Sequence, residues 1–306
     1  MSDDLVVVDT GALRLVFWPG CGGRLLGIEV SGVEFLWRNP DYVGPDAVVK
    51  PKRTWAPLDG TMGSWANVGG SKTWPAPQGW SGPDEWPGPP DAVLDSGVWD
   101  CAVTAAPDTT VTLTSPADPR SGLRVTRTFE VPRLGTAFTQ TNTFTNTSDT
   151  RVRWSIWEVC QVDTDGPARP AEIAVSVADR EPPLTMVQAV GEVPQGTVAD
   201  GVRTIQVTDV VGKLGLTNAT GLLCLERGDG AAISMRFDPD PAASYPDDGC
   251  QAELWFQCPV EEPLAELGGL HPQVRLVELE VLGPLVTLEP GESTSLRIDW
   301  EVTPPR

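Results

Sequence analysis

The stretch VTLTSPADPRSGLRVTRTFEVPRLGTAFTQTNTFTNTSDTRVRWSIWEVCQV, residues 111–162, decides the fold class. It contains runs rich in Thr, Val and aromatic residues, and Pro, Gly, Asn or Asp separates each run from the next. β-Branched and aromatic residues favour strands, whereas the separating residues favour turns. The runs are residues 111–114, 122–131, 137–146 and 151–162. This stretch therefore predicts four consecutive β-strands.

The same pattern continues in both directions along the chain. Residues 12–37 alternate strand-like runs with turn signals, and residues 227–230 (RGDG) separate two apolar runs in the manner of a hairpin. The last two predicted strands are residues 274–282 and 293–302. No segment of 12 or more residues has a helical period, and no polar linker divides the chain. We therefore predict one all-β domain over residues 1–306.

Composition agrees with this fold class and restricts the partners. The chain has 306 residues, of which 40% are hydrophobic, and this is enough for a buried core. Its 31 glycines and 30 prolines are typical of many short strands joined by turns. The net charge of −20 disfavours nucleic acids and anionic membranes as partners, because both would be repelled. A neutral or cationic ligand fits this charge better.

The sequence contains no targeting, metal or cofactor signal. Residues 1–4 (MSDD) lack a basic region, and no stretch approaches the roughly 20 apolar residues of a membrane span. We therefore expect a cytoplasmic protein. The chain has no cluster of His and Cys, no Asp-rich calcium loop and no Gly-rich phosphate loop, so no metal or cofactor is predicted. The scattered cysteines are most simply buried thiols: Cys21, Cys101, Cys160, Cys224, Cys250 and Cys258.

Residues 50–100 do not look like strands, and we predict an irregular segment there. It holds half of the twelve tryptophans among eight prolines. Two interpretations are open. The segment is either an aromatic flap packed on the sandwich or the wall of a sugar site, because indole faces stack on the C–H face of a pyranose. The tryptophans are Trp55, Trp65, Trp74, Trp80, Trp86 and Trp99.

Several motifs resemble the galactose mutarotase-like (aldose 1-epimerase) superfamily. Residues 22–37 resemble its opening hairpin, and residues 67–78, NVGGSKTWPAPQ, resemble the GGxKxWPAPQ signature of a bacterial family within it. Residues 154–161, WSIWEVCQ, resemble that family's central strand, and residues 278–292 resemble the superfamily's terminal strand pair. The resemblance spans most of the chain. It implies a β-supersandwich whose concave face holds a sugar, with the segment 50–100 beside that cleft.

The resemblance also implies a chemistry. Mutarotases of this type use two histidines and a glutamate, so that an acid protonates the ring oxygen while a carboxylate removes the anomeric proton. This chain has one histidine, His271, which matches neither of theirs. The central strand offers Trp157 and Glu158 where one of those histidines is expected. Acid/base isomerisation near the anomeric carbon would therefore proceed without the histidine pair.

Three carboxylates are the catalytic candidates. Glu278 and Glu280 are two apart in a predicted strand and so share one face, opposite an apolar face that packs into the sandwich. One of them is the expected base. Glu158 shares its face with apolar residues, which would raise its pKa and suit a general acid. The alternatives are a solvated strand face for the first two and a buried arginine partner, such as Arg24 or Arg153, for Glu158.

The candidate substrate-binding residues can donate to hydroxyl groups or stack on a sugar ring. Lys72 and Gln78 flank Trp74 in the signature loop, and a planar guanidinium suits two vicinal oxygens. An ordinary surface lysine, a sheet amide and a structural salt bridge are the alternatives. The full set is Arg24, Lys72, Trp74, Gln78, Gln161 and Glu253.

Three functions remain open at this point. The first is a carbohydrate-active enzyme that isomerises a sugar or glycoside by acid/base chemistry. The second is a non-catalytic carbohydrate-binding protein, which the missing histidines favour. The third is a biosynthetic tailoring enzyme for a cyclic or glycosylated natural product. The sequence does not identify the sugar or the oligomeric state.

Overall fold

The computed structural model describes residues 5–44, 47–52, 55, 61–79, 84–164 and 171–306. Within these residues the structure is almost entirely β, and the helices are short 3-10 turns at Met62–Ser64 and Ala265–Leu267. None of the described helices has the length and apolar character needed to cross a membrane. The strands are β1 (Val6–Asp9), β2 (Arg14–Trp18), β3 (Arg24–Val30), β4 (Val33–Glu34), β5 (Ser71–Ala76), β6 (Asp100–Ala105), β7 (Thr109–Thr114), β8 (Leu123–Val131), β9 (Ala137–Asn146), β10 (Val152–Asp163), β11 (Glu172–Val177), β12 (Leu184–Val190), β13 (Thr197–Ala199), β14 (Val202–Gln206), β15 (Val211–Leu216), β16 (Ala219–Glu226), β17 (Ala232–Arg236), β18 (Ala252–Gln257), β19 (Leu276–Leu282), β20 (Val286–Leu288) and β21 (Ser293–Thr303).

These strands form two antiparallel sheets that enclose one large core. The first sheet runs β1-β2-β3-β5-β10-β19-β18-β15-β12, with β4 beside β3 and β20 beside β10. The second sheet runs β13-β14-β11-β16-β17-β21-β9-β8-β7-β6. The predicted all-β sandwich is therefore confirmed.

Alternation in the second sheet separates core from solvent. In β9, Phe138 and Phe144 are buried, whereas Thr143 between core-facing neighbours is only partly covered. In β21, Trp300 is buried and Arg297 is exposed. A period of two with apolar residues on one side is what a sheet with one solvated face requires.

The central strands of the first sheet are buried on both faces. In β10, Ile156 and Val162 point into the core, which we call the inner face of the sheet. Trp157 and Gln161 point to the other face and are also buried. The strand β10 is therefore a nearly continuous run of buried residues rather than an alternation of buried and exposed ones.

The prediction that residues 50–100 lack strands is wrong for β5. This strand lies in the middle of the first sheet, between β3 and β10. Its sequence contains Pro75 and is followed by Pro77, and proline is rare in central strands because it cannot donate to the ladder. The two prolines are therefore the reason that the sequence pattern did not predict this strand.

The two glycines before β5 have a steric reason. Gly69 and Gly70 have φ of +97° and +77°, which residues with a Cβ rarely adopt. A Cβ on Gly70 would lie 2.6 Å from the carbonyl oxygen of Leu25, and one on Gly69 would clash with the carbonyl oxygen of Trp37. The glycine pair thus lets the chain pass close to two backbones as it enters β5.

The cysteines form no disulfide. Cys101 and Cys224 are partly exposed, and Cys21, Cys160, Cys250 and Cys258 are buried. The expectation of buried thiols therefore holds for four of the six.

Candidate functional site

A cleft of about 580 Å³ lies on the face of the first sheet that points away from the core. The strand register shows how its floor is built. Gln161 of β10 pairs with Glu278 of β19, Glu278 pairs with Trp255 of β18, and Trp255 pairs with Lys213 of β15. Paired residues in neighbouring strands point to the same face. All four line the cleft, so they form one row of side chains across four strands.

A second row runs parallel to the first. Lys72 of β5 pairs with Val159 of β10, Val159 pairs with Glu280 of β19, and Glu280 pairs with Glu253 of β18. Glu280 lines the cleft, and Lys72 and Glu253 are fully buried beside it. The predicted common face of Glu278 and Glu280 is thus the cleft face.

Tryptophans form one wall of the cleft. Trp74 of β5 packs against Trp157 of β10 with ring centroids 5.7 Å apart, and against Trp65 at 5.9 Å. All three line the cleft. Neither the indole Nε1 of Trp74 nor the Oε1 of Gln161 has a hydrogen-bond partner among the described residues. Such a surface offers both flat apolar faces and free polar atoms to a ligand.

Glu278 carries a cationic and an amide partner. The Nζ of Lys72 lies 3.1 Å from its Oε1, and the Nε2 of Gln161 donates to the same oxygen at 2.6 Å. The Lys72 ammonium also lies over the rings of Trp65 and Trp74, 5.6 and 4.9 Å from their centroids. Burial lowers the pKa of Lys72, and the Glu278 carboxylate opposes that effect. Glu278 therefore belongs to a balanced ion pair.

Glu280 belongs to an unbalanced group. The Nζ of Lys213 lies 3.0 Å from Glu280 Oε2 and 2.6 Å from Glu253 Oε2, so one ammonium serves two carboxylates. The Nε1 of Trp157 donates to Glu280 Oε2 at 2.6 Å. Burial raises the pKa of Glu280 well above its usual value, and repulsion from Glu253 and Glu278 adds to this. The carboxylates of Glu253 and Glu280 raise the pKa of Lys213 despite its burial. The group therefore favours one extra proton.

Asp247 completes the polar wall. It lines the cleft in the turn before β18, with a left-handed backbone (φ 52°) that Asp tolerates better than most residues. Burial raises its pKa to about 7, and repulsion from Glu253 adds to this while the Lys213 ammonium opposes it. Asp247 therefore keeps its proton to a higher pH than an ordinary aspartate does.

Glu158, the predicted general acid, does not lie in the cleft. Its side chain points to the inner face of the first sheet and is fully buried. Arg127 of β8 donates to its Oε1 at 2.9 Å, and Thr73, Gln140 and Asn142 donate to its Oε2 at 2.5, 2.9 and 3.0 Å. Glu158 thus ties the two sheets together. The arginine partner foreseen as the alternative exists, but it is Arg127 rather than Arg24 or Arg153.

Arg24 also lies behind the cleft rather than in it. It is fully buried, forms an ion pair with Asp95 and donates to the carbonyl oxygen of Gly69 at 3.1 Å. The other carboxylate oxygen of Asp95 accepts from the Nε1 of Trp65 at 2.9 Å. Arg24 therefore orients a cleft tryptophan through Asp95 and is not placed to touch a sugar itself.

The remaining binding candidates divide into cleft and background. Trp74, Gln78 and Gln161 line the cleft, whereas Lys72 and Glu253 act through Glu278 and Lys213. His271 is exposed and is not a cleft residue.

The tryptophans of the segment 50–100 also divide. Trp65 and Trp74 line the cleft, Trp86 and Trp99 are buried in the main core, and Trp55 packs on Trp18 and Tyr42. Trp80 lies outside the described residues. The segment thus contributes tryptophans both to the packed core and to the wall of the cleft.

Sequence reasoning missed many residues of the cleft lining, and those most relevant to its chemistry are Lys213, Asp247 and Trp255. A signal existed for Lys213, because it is the one charged residue in the glycine-rich apolar strand VGKLGL. Asp247 looked like an ordinary turn residue in PDDG, and nothing local distinguished it. Among the described residues, no group of three or more His, Cys, Asp or Glu has a metal-binding arrangement.

Comparison with known protein families identifies the family of this chain. A family model described as a domain of unknown function (DUF4380) matches residues 4–303. The chain belongs to the DUF4380 family. Among curated proteins, no sequence matches this DUF4380 chain significantly.

Solved structures share the fold of this DUF4380 protein at low sequence identity. YeaD, a mutarotase candidate from Salmonella typhimurium, is 15% identical with a TM-score of 0.63, and the match covers 100% of this chain and 92% of YeaD. A galactose mutarotase-like protein from Lactobacillus casei is 11% identical with a TM-score of 0.57, covering 98% and 100%. A TPR-domain containing protein from Parabacteroides distasonis is 13% identical with a TM-score of 0.58, and this chain spans 45% of it. The predicted galactose mutarotase-like fold is confirmed.

Proposed function

We propose that this protein is an enzyme that isomerises a sugar by acid/base chemistry at the anomeric carbon, without a histidine pair. The observation that carries the proposal is the pair Glu278 and Glu280. These carboxylates share one strand and one cleft face, yet they have different electrostatic partners. Pairs of carboxyl groups with separated environments are what acid/base catalysis requires.

Glu278 is the proposed base. A single ammonium, from Lys72, balances its charge, and the Gln161 amide stabilises the ionised form. Its side chain remains 14% exposed, so its second oxygen is within reach of a ligand. Glu278 would therefore accept the proton of the anomeric hydroxyl.

Glu280 is the proposed acid and takes the role that the sequence suggested for Glu158. Burial and repulsion from Glu253 and Glu278 raise its pKa, which favours the protonated form that an acid needs, and its Oε1 has no hydrogen-bond partner among the described residues. Residues two apart in a strand are roughly 7 Å apart at Cα. Glu278 and Glu280 can therefore reach the two oxygens of one anomeric carbon.

The proposed reaction opens and recloses the ring. Glu278 removes the proton from the anomeric hydroxyl O1, the bond between C1 and the ring oxygen breaks, and Glu280 gives its proton to the ring oxygen. The product is the open-chain aldehyde. Rotation about C1–C2 followed by the reverse proton transfers closes the ring as the other anomer. No further reactant is needed.

The tryptophan wall would bind the sugar during these steps. Trp74 and Trp157 offer indole faces to the C–H face of a pyranose, and Gln78 reaches the cleft from the signature loop. The proposed partner is a small carbohydrate.

A non-catalytic sugar-binding protein is the second candidate. The observation that favours it is that each proposed catalytic carboxylate has a lysine ammonium as a partner, and this lowers its availability. Such a protein would bind sugars without changing the rate of anomer exchange.

Polarimetry of freshly dissolved α-anomers tests the proposal. Wild-type protein should accelerate the approach to equilibrium for at least one aldose of a panel. Glu278→Gln and Glu280→Gln should each lower kcat/KM by at least about a hundredfold, because each removes one proton-transfer step. Glu301→Gln, on the exposed face of β21, is the matched control and should keep the wild-type rate. Near-normal rates in both cleft variants would refute the assignment. Saturable quenching of tryptophan fluorescence without any rate acceleration would support the second candidate.

A further inference from the structure

The cleft has an excess of negative charge. Its lining contains one lysine and, among the described residues, no arginine. That lysine, Lys213, is already neutralised by Glu253 and Glu280. The acidic residues of the lining are Asp247, Glu266, Glu278 and Glu280. A sugar phosphate or a uronic acid would meet repulsion here without a guanidinium to receive its anion.

A buried carboxyl oxygen of the cleft lacks a hydrogen-bond partner in the described part of the chain. Glu280 is fully buried and lines the cleft, yet its Oε1 has no hydrogen-bond partner among the described residues. Asp247 lines the same cleft and shares a side-chain hydrogen bond with Glu253, which is the cross-strand partner of Glu280. Buried carboxyl oxygens cost free energy until a donor reaches them.

We propose that the cleft takes a sugar that carries a protonated amine, and that Asp247 recognises the ammonium group. The inference rests on the proposed function, which places the anomeric carbon at Glu278 and Glu280. Because Asp247 contacts Glu253, the cross-strand partner of Glu280, the amine should lie near the anomeric carbon. A 2-amino-2-deoxy aldose has that geometry.

The surroundings of Asp247 suit a cation. Its raised pKa has repulsion from Glu253 among its causes, and an approaching ammonium would remove that repulsion and take the place of the proton. The cleft also offers indole faces, which attract cations. The protein's own ammonium groups already use this property, since Lys213 lies 4.6 Å from the centroid of Trp157.

The test compares ligands that differ at the amine. Dissociation constants of glucosamine, glucose, N-acetylglucosamine and glucose 6-phosphate are measured by tryptophan fluorescence at pH 7 and low salt. Glucosamine should bind about tenfold more tightly than glucose and N-acetylglucosamine, as expected for one added ion pair in a partly buried site. Glucose 6-phosphate should bind most weakly, and salt should narrow these differences.

Asp247→Asn and Asp248→Asn form a matched pair. Both residues have positive φ in the same turn, and Asn tolerates that conformation, but Asp248 is exposed and does not line the cleft. Asp247→Asn should abolish the preference for glucosamine over glucose, and Asp248→Asn should keep it. Equal binding of glucosamine and glucose by the wild type, or a preference that survives in Asp247→Asn, overturns the inference. Urea unfolding midpoints of the two variants verify that both are folded.

The same samples also test the proposed reaction, so the amine site and the reaction can be refuted independently of each other. Anomer exchange of glucose is measured with the same samples. Exchange without a preference for the amine refutes the amine site alone. A preference for the amine that depends on Asp247, without exchange of any sugar, refutes the proposed reaction and supports the amine site.

Discussion

At the scale of residues, Glu278 and Glu280 of β19 share the cleft face but have different lysine partners. The spacing of Glu278 and Glu280 predicts a common face, and the structure places both in the cleft. The pattern does not indicate which one is acid and which is base. Their partners Lys72 and Lys213 come from β5 and β15, far away in sequence, and only the register of five strands brings them together.

Asp247 predicts a pH dependence of stability. Its folded pKa of about 7 lies above the value of about 3.9 in an unfolded chain. Between these values the folded protein binds the extra proton, so the free energy of unfolding should fall as pH rises from about 4 to about 7. The groups that act on Asp247 are Glu253, Lys213 and Asp248. In Asp247→Asn, the free energy of unfolding should fall over this pH range by on the order of 2 kcal/mol less than in the wild type. This value allows for the partial exposure of Asp247.

Urea unfolding at several pH values measures this decline. Asp248→Asn, in the same turn, is the control and should keep most of the wild-type slope. Parallel curves for the wild type and Asp247→Asn would show that the carboxyl of Asp247 titrates alike in the folded and unfolded chains.

At the scale of elements, the alternation of apolar and polar residues predicted the bounds of several strands. It did not predict which face of a strand lines the cleft. The strand β9 was predicted with its observed bounds, and β10, β19 and β21 within two residues at each end. Alternation correctly put Glu158 and Gln161 on opposite faces of β10, but it does not tell which face is the cleft when both are buried. The strand β5 was missed because Pro75 is its penultimate residue and Pro77 follows it directly.

The position of Glu158 between the sheets predicts a structural role. Glu158→Gln leaves the Arg127 guanidinium buried without an opposite charge, so the free energy of unfolding should fall by about 3–5 kcal/mol. The control is Asp299→Asn, which breaks an exposed ion pair with Arg297. The side chain of Arg297 is 60% exposed and that of Asp299 is 50% exposed. This control substitution should cost about 1 kcal/mol or less. Equal losses in urea unfolding would contradict the assigned role of Glu158.

At the scale of the whole molecule, the resemblance and the composition predicted the fold but not the chemistry of the site. The net charge of −20 suggested a neutral or cationic ligand without locating it. The fold gathers part of that charge in one cleft beside tryptophans. Lys213, Asp247 and Trp255 join the site only because β18 pairs with β19 and β15 pairs with β18. No local pattern encodes this long-range arrangement.

The most direct measurement is the crystal structure of the protein with a bound reducing sugar, glucose or glucosamine. Our account predicts a pyranose stacked on the tryptophan wall, with O1 within hydrogen-bond distance of Glu278 and the ring oxygen within hydrogen-bond distance of Glu280. A sugar bound outside the cleft, or one whose anomeric carbon points away from both carboxylates, would contradict it.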